Sequence, residues 1–203
     1  QAHINPHLLY NTLDPISWKA LEHDAEEVSD LICALSKFFR LSLSRGGEII
    51  SLEQEMEHVG SYLYIQKARN EDKLEFRLEL EEGAGMCRVP KLLIQPLVEN
   101  AIYHGIRPKE GTGHLVVRAR LRGENHVSIL VADDGVGMSE ERLQAIRQDL
   151  TQGSCAEGFG LCSMLQRLKL TYGADCSVTV RSSVNAGTVV RLILPAERIE
   201  EDV

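Results

Sequence analysis

Pro90-Lys91-Leu92-Leu93-Ile94-Gln95-Pro96-Leu97-Val98-Glu99-Asn100-Ala101-Ile102-Tyr103-His104-Gly105 mixes two kinds of residue at a helical spacing. Lys91, Gln95, Glu99 and Asn100, then Tyr103 and His104, recur three to four positions apart, which predicts a helix from Pro90 to about Tyr103 with one polar face on an otherwise apolar rod. A solvated face is the plain reading of such a stripe. A chemical reading stands beside it. The amide oxygen of Asn100 is a hard, neutral ligand suited to a magnesium ion that also holds phosphate oxygens, and the Glu99 carboxylate beside it can hold a water or the ion.

The segments on either side differ in period. Before about Asn70 the periodicity is helical: Asn5-Pro6 reads as a cap and first position, followed by Leu9, Leu13, Ile16 and Ala20 on one face. Pro15 lies inside that helix, removes a donor to Asn11 and predicts a kink. Val28, Leu31, Ile32, Leu35, Phe38 and Phe39 mark a second helix ending at Gly46-Gly47, and Ser51 with Gln54 is a capping box opening a third. From Leu74 the period drops to two, as in Leu74, Phe76, Leu78 and Leu80, which predicts a half-exposed strand. Strands follow at 114–122 and 126–132 around a turn at Gly123-Glu124-Asn125, then helices at 140–150 and 158–170, and a closing hairpin of 177–182 with 188–194. This order predicts an α+β fold, helices 1–72 followed by an α/β sandwich over 73–203 whose helices cover one face of a mixed, mainly antiparallel sheet.

Three further clusters carry chemistry. His7, just inside a helix start, has an imidazole partly unprotonated and nucleophilic near neutral pH. It also shares a face with His3, but no third zinc ligand is evident. Ile129-Leu130-Val131-Ala132-Asp133-Asp134-Gly135-Val136-Gly137-Met138 is a strand running into acids and glycines. A carboxylate such as Asp133 at a strand end can accept the exocyclic amine of adenine, while Gly135 and Gly137 let backbone approach the ring; a plain Asp-Gly turn is the alternative. Gly158-Phe159-Gly160-Leu161, at a helix start, presents amides to an anion such as a polyphosphate.

Composition narrows the classes. The 203 residues are 43% hydrophobic and 26% charged, a globular balance. A formal charge of -8 has the wrong sign for a phosphate-backbone binder, so no nucleic acid partner is expected. No apolar run approaches the ~18 residues of a membrane span. Five scattered cysteines without a Cys-x-x-Cys pair point to a reducing compartment. The chain opens at Gln1 already dense in information, as expected of a piece of a longer protein.

Taken in order, these clusters resemble the N, G1 and G2 boxes of the GHKL (Bergerat) ATP-binding domain of gyrase, MutL and histidine kinases, with Gly187-Thr188 similar to its last nucleotide-contacting pair. Asn5-Pro6-His7-Leu8-Leu9-Tyr10-Asn11-Thr12-Leu13 is similar to the phosphoacceptor signature of the LytS/YesM class of sensor histidine kinases, and Pro90 to Gly105 matches that class's N box. The resemblance implies autophosphorylation. ATP would be held by Asn100, His104, Gly105, Asp133, Gly135, Gly137, Gly158, Gly160, Leu161 and Thr188, with Mg2+ on Asn100. The γ-phosphoryl group would pass to His7, with Glu99 or Asn11 orienting the ring, and then to an aspartate of a response-regulator receiver domain. It further implies a homodimer through the helices and an upstream membrane sensor, this chain being the cytoplasmic part of a cell-membrane receptor.

Several positions depart from the family pattern. Asp134 stands where Asn is usual, adding a negative charge near the triphosphate that is expected to weaken ATP binding or alter the metal shell. Leu8, not an acid, follows His7. The lid tip Gln152-Gly153-Ser154-Cys155 carries no cation. Two other functions suit the same residues: a hydrolytic ATPase with Glu99 as general base, and a non-catalytic nucleotide-binding or dimerisation module.

Overall fold

The structure, a computed structural model, describes residues 6–43, 48–69, 73–152 and 160–198. Helix α1 (Pro6–Glu22) continues through Pro15, and a tight turn with Asp24 at φ 55 leads to α2 (Glu26–Leu43), so the two form a hairpin. Their contact seam is not the one the apolar spacing predicts. Ile16 is 48% exposed, while Ser17 is buried with its hydroxyl 2.8 Å from Ser29 Oγ. Small side chains let the helix backbones come close, which turns Ile16, Trp18, Leu21 and Val28 outward as an exposed apolar surface.

Strand β1 (Ile49–Ser51) leads into α3 (Leu52–Arg69), begun by the capping box: Ser51 N–H donates to Gln54 Oε1 and Gln54 N–H to Ser51 Oγ, both at 3.1 Å. After β2 (Leu74–Leu80), β3 (Arg88–Pro90) returns to pair antiparallel with β1. Pro90 therefore ends a strand and does not open a helix. The next residues form a turn with Leu92 at φ 59, and α4 (Gln95–Asn100) begins only with Pro96 in its first turn. The reason is tertiary. The fully buried carboxylate of Glu55, on α3, accepts the N–H of Leu92 at 2.9 Å and of Ile94 at 2.8 Å, capping α4 where Ile94 offers no side-chain cap. Beyond α4 the chain widens into one π-helical turn, Ala101–Ile106, in which Arg107 N–H reaches back to the Ile102 carbonyl at 2.9 Å.

The remaining elements are β4 (Gly113–Arg122), β5 (His126–Asp133), α5 (Glu140–Gln152), α6 (Gly160–Tyr172), β6 (Ser177–Ser182) and β7 (Thr188–Pro195). The five-stranded sheet runs β2-β4-β5-β7-β6, parallel between β2 and β4 and antiparallel elsewhere. One cross-strand row, Leu78–Val117–Val131–Val190–Val180, spans all five strands on the helix-covered face. The opposite face is polar; there Glu79 pairs with Arg118 at 2.5 Å and Arg120 at 3.3 Å.

Packing does not divide at residue 72. Leu52, Met56, Val59 and Leu63 of α3 are buried in one core with Leu74, Val98 and Leu115. On its other side α3 meets α2: Phe38 stacks on His58 at 4.7 Å between ring centroids, and His58 Nε2 lies 2.9 Å from Ser42 Oγ. Burial pulls the His58 imidazole down to about 4, so it is neutral at pH 7.

Replacing Glu55 with Gln places an NH2 group against amide donors that need an acceptor. The expected loss is about 1–3 kcal/mol, read as a lower urea midpoint at unchanged slope.

Candidate active site

Register brings the site together at one end of the sheet. Asp133, the last residue of β5, lies opposite Thr188, the first of β7, and both line a pocket closed by α4, the π turn and α6. From the helix side come Leu97, Asn100, Ala101, His104 and Gly105, from α6 Leu161, and beyond β5 Gly137 and Met138. The rest of the wall is apolar, with Val131, Val180 and Val190 at its back. Asp133 is buried, and its Oδ1 accepts the Gly135 N–H at 2.9 Å. Burial pushes its carboxyl up to about 6, against the pull of the Gly135 and Thr188 amides and with a push from Asp134.

Glycines around the pocket are required by contact. A Cβ on Gly105 would stand 2.6 Å from Asp133 Oδ1, so its absence keeps the carboxylate open to the pocket. Gly137 has φ 66 and packs on the Ser183 carbonyl with no room for a Cβ. Gly135 lies against the Gly105 backbone, and Val136 N–H donates to the Gly105 carbonyl at 3.0 Å, tying the loop after β5 to the π turn. Ser182 completes the frame: its Oγ accepts the Met138 N–H at 3.0 Å and donates to the Gly187 carbonyl at 2.8 Å.

The wider π turn brings residues four apart into line, giving α4 a second polar column beside the pocket. Gln95 Nε2 donates to Glu99 Oε1 at 2.7 Å, and the Arg107 guanidinium lies 4.1 Å from the centre of the Tyr103 ring. The Tyr62 hydroxyl, on α3, faces this column; its own burial, then Glu99 and Tyr103, hold it far above the ordinary phenol range. Because Phe38 of α2 also packs on Tyr62, at 5.9 Å between ring centroids, the column lies where the hairpin meets the pocket domain.

Of the residues singled out in the sequence, Asn100, His104, Gly105, Asp133, Gly137, Leu161 and Thr188 line one pocket. Gly135 supports Asp133, and Glu99 stands on the adjacent column. Gly160 is the first residue of α6, and Gly158 lies outside the described residues. His7 falls in the first turn of α1, its side chain outside what is described, and Asn11 is exposed one turn later. Glu55 and Tyr62 were not legible as site residues. Both read as ordinary helix positions, and only the packing of α3 on α4 gives them a role.

The family model described as histidine kinase-, DNA gyrase B-, and HSP90-like ATPase matches residues 88–198, and that described as histidine kinase matches residues 1–74. The chain is 32% identical to the sensor histidine kinase YesM of Bacillus subtilis over 96% of its length, and 32% identical to the sensor protein LytS of Bacillus anthracis over its whole length. It spans about a third of each relative, 32% of the first and 34% of the second. The histidine kinase domain of the Erythrobacter litoralis blue-light activated kinase has the same fold, with a TM-score of 0.54 over 94% of both chains at 16% identity. Full-length ShkA matches with the same TM-score of 0.54 over 98% of this chain and 48% of that one. The chain belongs to the histidine kinase-, DNA gyrase B- and HSP90-like ATPase family.

The Asp133 carboxyl carbon is expected to titrate by NMR with a midpoint at about 6, falling when Asp134 is replaced by Asn. Because its folded value lies above the ordinary 3.8, the stability Asp133 contributes is complete below that pH and lost as pH rises through about 6. Gly105→Ala, which crowds Asp133, is expected to lower adenine-nucleotide affinity on the order of 10-fold or more, measured by calorimetry, for the loss of one good polar contact.

Proposed function

We propose that this chain is the catalytic core of a sensor histidine kinase that transfers the γ-phosphoryl group of ATP to His7. One observation carries the reading furthest: a buried carboxylate, Asp133, is kept open by the missing side chain of Gly105 at the base of an apolar pocket that also holds Asn100. This cradle suits an adenine nucleotide. Its flat apolar walls fit the base, the ionised Asp133 can accept the exocyclic amine, and the Asn100 amide oxygen is the right donor for Mg2+.

Asp133, Gly135, Gly137, His104, Gly105 and Thr188 hold the nucleoside end, and Leu161, Gly158 and Gly160 the phosphate end, where amides at the start of α6 suit an anion. Bound Mg2+ on Asn100 would neutralise phosphate charge. The unprotonated ring nitrogen of His7 forms the new N–P bond as the bond from γ-phosphorus to the bridging oxygen breaks and ADP departs. Glu99, held by Gln95, and Asn11, one turn after His7, are the candidates to orient the imidazole. The phosphoryl group then passes to an aspartate of a response-regulator receiver domain.

Residues 1–72 serve as the dimerisation and phosphoacceptor region and 73–203 as the ATP-binding domain, with α3 physically shared between them. The exposed Ile16, Trp18, Leu21 and Val28 support a homodimer through the hairpin. Among the described residues no helix is long and apolar enough to cross a membrane. The reading extends to an upstream membrane sensor, with this chain as its cytoplasmic part.

Incubation with γ-labelled ATP and Mg2+ tests the reading. The expected product is an acid-labile, alkali-stable phosphoprotein, absent in His7→Ala and reduced ~10²-fold or more in Asn100→Ala. Phosphate release that persists in His7→Ala without labelled protein would instead show a hydrolytic ATPase.

A further inference from the structure

Asp134 follows Asp133 directly, so an unpaired acid there would stand beside the nucleotide pocket. Its side chain is engaged elsewhere. Oδ1 accepts the backbone N–H of His114 at 2.7 Å, while Oδ2 lies 2.7 Å from His114 Nδ1 and 2.8 Å from Lys109 Nζ. The backbone closes the same joint, Asp134 N–H donating to the His114 carbonyl at 3.1 Å. Lys109 is itself fixed: its N–H donates to the Ile106 carbonyl at 3.0 Å and its Nζ to the Thr112 carbonyl at 3.1 Å. Three segments thus meet at one carboxylate: the turn after the π helix, the start of β4 and the end of β5. Asp134 is not among the residues lining the pocket, whereas Asp133 is.

We infer that Lys109 and His114 form a charge clamp on Asp134, holding its carboxylate out of the pocket and weakening its field there, so that Lys109 tunes the affinity for an anionic nucleotide without touching it. This rests on the nucleotide-binding reading above. Burial by itself would raise the Asp134 carboxyl, but the His114 amide, Lys109 and the His114 ring draw it down to about 2, so it is ionised and paired throughout the neutral range. Among the described residues, the other titratable groups lining the pocket are Asp133 and, from the π turn, His104. Neither brings a permanent positive charge, which leaves Lys109 as the group that balances the added acid. An acid beside the nucleotide pocket is thereby made tolerable to ATP by a lysine from a separate loop.

Mg-ATP affinity, measured by calorimetry at low and high salt, tests the clamp in four variants. Lys109→Met is expected to weaken binding about 5- to 10-fold at low salt, the gap shrinking at high salt because the repulsion is through solvent. Lys109→Arg and Asp134→Asn should each stay within about twofold of the unsubstituted chain, and Lys109→Met combined with Asp134→Asn should return to that level. A double variant as weak as Lys109→Met would overturn the clamp, because the lysine would then be contacting the nucleotide itself. Tighter binding by Asp134→Asn alone, as large as the Lys109→Met loss, would also overturn it, since the acid would be acting unpaired. Failure of the unsubstituted chain to bind ATP would instead overturn the nucleotide reading, and is distinguishable because no variant is then involved.

Discussion

The carboxylate of Glu55 fixes how α3 meets the start of α4. It is fully buried on α3, and it accepts the amides of Leu92 and Ile94 that would otherwise begin α4 without a cap. Burial raises its acid value while the amides around it work the other way. An uncapped helix start inside a core leaves several donors desolvated, so the position of α4 depends on this side chain. Asn100 and Glu99 ride on that helix, with the π turn beyond it, and the pocket inherits its geometry from a residue far outside the motif that marks it.

At Asp133, the proposed function and stability pull in opposite directions. The fold surrounds a carboxylate with valines and raises it to about 6, yet an ionised acceptor is what an adenine amine calls for. The cost is limited by the Gly135 and Thr188 amides and by keeping the acid next to it engaged with Lys109 and His114. The two adjacent aspartates face different surroundings, one into an apolar pocket and the other toward a cation.

α3 belongs to two assemblies at once. One face completes the core over the sheet, while Phe38 packs on His58 and Tyr62 where the hairpin arrives. Glu55 and Tyr62 on the same helix reach α4 and its Glu99 column, so α3 touches both the hairpin and the helix that carries Asn100.

The sequence by itself determined the elements and most of the pocket. Alternation from Leu74 to Leu80 marks a half-exposed strand, Ser51 with Gln54 marks a helix start, and the short blocks around Asn100, Asp133 and Leu161 hold the residues that converge. These are local signals, carried by side-chain period, capping and glycine, and local signals survive without knowledge of the fold. What the tertiary structure decided lies between segments. It ended the strand at Pro90 where helical spacing suggested a start, because Glu55 binds the amides that follow. It turned Ser17 inward and Ile16 outward, because close helix approach favours a small hydroxyl paired with Ser29. It assigned opposite surroundings to the adjacent Asp133 and Asp134, because a strand end points successive side chains to opposite sides and Lys109 lies on the Asp134 side.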